Sequence, residues 1–242
     1  MKRKQARPPR PHTLVIDAAD GSGSFSGYLA LPPGGRGPGL VIAQEIFGVN
    51  KPMRDIADAF AARGYVVLVP DLFWRMAPNV VLGYTPEDWQ KAFGYFQRFN
   101  VDTGVDDIQA SITTLREQAF VNGQVGVMGF CLGGKLAYLA ACRTDADVAI
   151  GYYGVGIEAV LEEAGHLHCP LVLHIAQLDK YCDEAAQEKI QQGLGHRDNV
   201  QVWLYPDADH AFARPGGEHY HQPSADLALE RSLSALQRAL SA

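Results

Sequence analysis

Two kinds of apolar periodicity alternate along this chain. Thr13–Ala18 and Ser24–Leu31 alternate apolar with polar residues and are joined by Asp20-Gly21-Ser22-Gly23, which predicts an antiparallel hairpin. Pro32–Gly39 reads as a Pro/Gly-rich loop, and Leu40-Val41-Ile42-Ala43 is a continuous apolar run, as a strand buried on both faces requires. Pro52–Arg63 then repeats apolar residues at helical spacing (Ile56, Ala57, Phe60) and stops at Gly64. Further strands are expected at Tyr65–Val69, Val125–Met128, Val148–Tyr153, Leu171–Ile175 and Val200–Tyr205. Helices are expected at Asp88–Phe99, Asp106–Gln118, Leu132–Ala141, Glu184–Gln192 and Ala225–Leu240.

A leading hairpin followed by alternating strands and helices predicts an α/β fold. The expected form is a mostly parallel, doubly wound sheet with helices on both faces. No linker interrupts the pattern after residue 13, so residues 13–242 are read as one domain preceded by a basic tail, 1–12. At 242 residues such a domain buries roughly three quarters of its unfolded surface, so it needs neither disulfides nor a structural metal.

Composition narrows the function classes. The formal net charge of -6 argues against nucleic acid as a partner, because phosphate binding needs a concentrated basic surface. The one basic stretch holds Lys2, Arg3, Lys4, Arg7 and Arg10 among prolines; it lacks the apolar core of a secretory signal and reads as a solvated start. No apolar run is long enough to cross a bilayer. Cys131, Cys142, Cys169 and Cys182 show no CxxC and no clustered His spacing, so a reduced, cytoplasmic chain without a metal site is expected.

One turn carries chemistry. The strand Val125–Met128 runs into Gly129-Phe130-Cys131-Leu132-Gly133-Gly134 and then a helix. This is the G-x-S-x-G nucleophile elbow of α/β-hydrolases with cysteine in the serine position. The central residue takes a strained backbone geometry, and glycines on either side remove clashes with neighbouring elements. The helix N-terminus beyond it favours a thiolate. In this fold the acid and then the histidine follow the nucleophile, each on a loop after a strand. Asp179 after Leu171–Ile175 and His210 after Val200–Tyr205 satisfy that order. Asp183, Asp207 and Asp209 compete for the acid role, but Asp207 and Asp209 sit too close to His210 in sequence, and Asp183 lies further along its loop.

With these residues in place the chain resembles the dienelactone hydrolase family. The matching stretches are Gln44-Glu45-Ile46-Phe47-Gly48-Val49-Asn50, Pro70-Asp71-Leu72-Phe73, Gly129–Gly134, Gly151-Tyr152-Tyr153-Gly154 and His210-Ala211-Phe212-Ala213-Arg214. The resemblance implies a Cys131–His210–Asp179 triad. It also implies a fourth participant, Glu45, that pairs with the thiol at rest and takes its proton once substrate arrives. Gating of that kind would protect a thiolate from oxidation. The backbone N–H groups of Leu132 and Ile46 are the expected oxyanion hole. Arg214 matches an arginine that binds the substrate carboxylate, while Phe47, Tyr152 and Trp89 are expected to line the pocket. The chain departs from the family at Pro86–Lys91, where a second carboxylate-binding arginine is missing and Lys91 is the nearest substitute. The implied reaction opens a small lactone or activated ester, with dienelactone to maleylacetate as the first case. No cofactor is implied. An esterase or thioesterase acting on a larger neutral substrate is the alternative enzyme reading, and an oxidisable thiol sensor is the non-catalytic one.

Overall fold

The computed structural model describes residues 12–240. The tail expected at 1–12 therefore lies almost wholly outside the described residues. The strands are β1 (His12–Asp17), β2 (Ser24–Ala30), β3 (Gly37–Ala43), β4 (Val66–Pro70), β5 (Val121–Phe130), β6 (Val148–Tyr152), β7 (Leu171–Ala176) and β8 (Val200–Tyr205). The helices are α1 (Lys51–Ala61), α2 (Pro86–Arg98), α3 (Val101–Arg116), α4 (Leu132–Arg143), α5 (Glu184–Leu194) and α6 (Gln222–Leu240).

The eight strands form one sheet in the order β1-β2-β4-β3-β5-β6-β7-β8. β1 pairs antiparallel with β2, as the alternating hairpin pattern requires, and β2 pairs antiparallel with β4. Every pair from β4 to β8 is parallel. The parallel strands β4, β6 and β7 are buried at every position, which is why they read as unbroken apolar runs. Side-chain alternation separates the two covering layers. Leu115 of α3 packs beside Gly39 and Val125, whereas Leu236 and Leu240 of α6 pack beside Gly126, on the other face.

Element boundaries differ from expectation where glycine conceals them. β3 opens at Gly37, inside the stretch read as a loop, and Gly37 pairs with Val121 at the start of β5. β5 likewise begins at Val121, ahead of the apolar run at Val125. α3 starts at Val101 because the Asn100 side chain accepts from the Asp102 and Thr103 N–H groups. Gly104, which breaks the helical pattern in sequence, is needed there: a Cβ would lie 2.4 Å from the Phe99 ring. Two short 3₁₀ turns, Ile157–Ala159 and Leu161–His166, follow β6 and had no periodic signal. No helix among the described residues is long and apolar enough to cross a membrane.

The carboxyl ends of β3, β5, β7 and β8 carry Glu45, Cys131, Asp179 and His210 in their following loops. Open α/β sheets bind ligands at that edge.

Candidate active site

The turn between β5 and α4 fixes the sulfur. Cys131 has φ 58° and ψ -115°, a region that side chains other than glycine rarely enter, and such strain costs about 1–3 kcal/mol. Its N–H donates to the Tyr152 carbonyl at 3.0 Å, and its own carbonyl accepts from the Gly134 N–H at 3.0 Å. A Cβ at Gly129 would stand 1.8 Å from the Gly133 carbonyl oxygen, and one at Gly133 would stand 2.2 Å from the Ala43 carbonyl oxygen. Only glycine lets β3, β5 and α4 approach this closely. Tyr153 (φ 38°) and Ala211 (φ 65°) also occupy the left-handed region, so backbone strain gathers around one site.

His210 and Asp179 meet from separate loops. His210 Nδ1 lies 2.7 Å from Asp179 Oδ2, and the other Asp179 oxygen accepts the Tyr181 N–H at 2.8 Å. Two of the competing acids are engaged by backbone: Asp183 caps α5 through the Ala186 N–H, and Asp209 accepts the His210 N–H at 2.6 Å. Tyr153 and Tyr181 meet the imidazole edge-on, with ring centroids 5.2 and 4.9 Å away. Burial alone would make His210 harder to protonate. The adjacent Cys131 thiolate and the Asp179 carboxylate outweigh it and push the imidazole up to about 10. The other thiols are buried as well, and burial, with the Asp179, Glu158 and Asp183 charges, pushes Cys182, the one nearest this loop, up to about 12.

Glu45 is 1% exposed and follows β3. Its Oε2 accepts from Arg214 Nη1 at 3.0 Å, and its Oε1 accepts from the Tyr153 hydroxyl at 3.4 Å. The carboxylate is therefore turned onto Arg214 and Tyr153 here, where the family resemblance implied a partner in the thiol. Arg214 also lies over the Tyr84 ring at 4.4 Å. Leu132 is the first residue of α4, so its N–H has no intrahelical acceptor.

These groups share one cavity of about 310 Å³. Cys131, His210, Glu45, Ile46 and Arg214 line it, together with Phe47 and Trp89. Tyr152 does not. Alternation along β6 turns it into the protein interior, 3% exposed, where its hydroxyl lies 2.7 Å from Ser232 Oγ. The expected pocket role of Tyr152 thus gives way to Val155 and Tyr181, which do line the cavity. Lys91, the nearest substitute for the missing arginine, is exposed and lies outside the cavity lining. Sequence reasoning also passed over Phe93, Phe96, Lys180 and His219. The first two had a signal, since Trp89, Phe93 and Phe96 recur at helical spacing, although the pattern does not say what they face. Among the described residues no group of three or more His, Cys, Asp or Glu is arranged to hold a metal ion.

The chain as a whole is similar to known proteins. The dienelactone hydrolase family model matches residues 25–240. A carboxymethylenebutenolidase of Pseudomonas putida is 38% identical, the match covering 92% of this chain and 94% of that protein. A second, from Cupriavidus pinatubonensis, is 36% identical over 88% of this chain and 92% of its own length. The dienelactone hydrolase structure from Anabaena variabilis superposes with a TM-score of 0.70 at 16% identity, covering 97% of this chain and 100% of the other, which shows the α/β-hydrolase fold. A cysteine elbow on that sheet, and a family match running from β2 to the last helix, lead to one conclusion: this chain belongs to the dienelactone hydrolase family, hydrolases of ester and lactone bonds.

Proposed function

We propose that this protein opens a lactone or activated ester through a thioester on Cys131. The observation that carries the reading is the convergence of Cys131 and the Asp179-held His210 in one cavity. The thiolate sulfur attacks the carbonyl carbon, and the Leu132 and Ile46 N–H groups receive the developing oxyanion. The carbon–oxygen bond breaks, and the leaving oxygen takes the proton held by His210. His210 then removes a proton from water, whose oxygen bonds to the acyl carbon as the carbon–sulfur bond breaks. The acid product departs and the thiolate is restored.

Asp179 fixes the tautomer and direction of the imidazole throughout. Glu45, held by Arg214 and Tyr153, leaves the thiol proton to His210 in this arrangement. Arg214 accordingly serves Glu45 as much as any substrate carboxylate. The relatives' names make dienelactone, giving maleylacetate, the first substrate to try.

Cys131→Ala should abolish turnover of every lactone and ester that the native protein hydrolyses. Mass spectrometry of the native protein, quenched during turnover, should find the acyl group on Cys131. Undiminished hydrolysis by the alanine variant would remove the proposal.

A further inference from the structure

The cavity holds more apolar wall than a small charged lactone needs. Trp89, Phe93 and Phe96 line it from one face of α2, and Phe47 meets Trp89 edge-on at 4.8 Å. α2 buries only Ala92 completely, and Phe93 remains 36% exposed. A helix rarely leaves three large rings part-covered in a concavity unless something else covers them. The charges along the same lining are largely cancelled. Arg214 faces Glu45 at 3.0 Å. Lys180, Glu218 and Asp209 remain, one cation against two carboxylates. Lys91, the cation expected on α2, is off the cavity altogether. The arrangement presents an aromatic wall and little net charge beside the sulfur.

We propose that the Trp89–Phe93–Phe96 face of α2 is a subsite for a flat apolar substituent, such as an aryl group, on an uncharged ester or lactone whose carbonyl sits at Cys131. This rests on the Cys131 reading and narrows its substrate class. The aryl ring would pack against Phe93 and Phe96, remove them from water, and direct the carbonyl toward the sulfur.

Three vinyl esters with one leaving group test the subsite: vinyl phenylpropanoate, vinyl propanoate and the carboxylate-bearing vinyl hemisuccinate. The native protein should favour the phenyl ester over each of the others by about tenfold or more in kcat/KM. Phe96→Ala should reduce that ratio by about tenfold, whereas Phe96→Leu, which keeps apolar volume, should retain most of it. Preference for the hemisuccinate, absence of preference, or a ratio unmoved by Phe96→Ala would overturn the subsite while leaving Cys131 chemistry standing. Absence of turnover with all three would instead count against the Cys131 reading. The subsite is then read by binding: benzylacetone should quench tryptophan fluorescence at lower concentration than acetone in Cys131→Ala. Loss of that difference in Cys131→Ala/Phe96→Ala supports the subsite, and its persistence overturns it.

Discussion

Arg214 and Glu45 share one buried place, with side chains 10% and 2% exposed and 3.0 Å between nitrogen and oxygen. A pair so enclosed contributes little beyond well-packed apolar residues, yet removing one partner strands the other charge. Arg214→Gln is therefore expected to lower unfolding free energy by about 3–5 kcal/mol, measured by urea denaturation, with Arg214→Lys closer to native. It should impair neutral and carboxylate-bearing substrates alike, because the Glu45 site collapses in both cases. A KM effect confined to carboxylate substrates would contradict this. His210 makes a second prediction at the same scale. Its folded-state value is raised from 6.5 to about 10, so its contribution to stability is complete below about 6.5 and is lost as pH rises through about 10. The urea midpoint should fall across that window. Cys131→Ala should flatten the fall, since the thiolate charge is the largest influence raising the imidazole.

Beneath the site, four elements are tied by a buried polar cluster. His174 of β7 bonds Tyr205 of β8 at 2.8 Å through Nδ1 and Ser232 of α6 at 2.9 Å through Nε2. Ser232 in turn meets the Tyr152 hydroxyl of β6. Satisfied hydroxyl partners explain why a fully buried imidazole is tolerated. Burial, with help from the Arg231 charge, lowers His174 to about 3, so it stays neutral in the folded state. An unfolded histidine takes a proton near 6.5, which makes stability fall as pH drops from there toward about 3. Acid titration of the urea midpoint should show this slope, and His174→Gln should show a shallower one. An unchanged slope would mean that other groups govern acid unfolding. The same elements illustrate what the chain makes legible. β4, β6 and β7 could be read because both faces are buried and the apolar run is continuous. The start of β3 could not, because Gly37-Pro38-Gly39 carries no apolar pattern and is placed by pairing with distant Val66, Val121 and Val125.

Across the whole molecule, sequence alone determined the parallel sheet, its antiparallel hairpin, and the order of Cys131, Asp179 and His210. These follow from local periodicity and from a turn whose glycines have a steric cause. The family likeness added Glu45 and Arg214 as site residues, with the thiol and a substrate carboxylate as their expected partners. Tertiary structure decided the rest. It turned Tyr152 inward onto Ser232 and aimed Phe93 and Phe96 at the sulfur's cavity. It also set Glu45 against Arg214 and left Lys91 outside. The physical reason is the same in each case. Periodicity states which residues share a face of their own strand or helix, whereas the partner of that face comes from far along the chain, 80 residues for Tyr152 and Ser232 and 169 for Glu45 and Arg214.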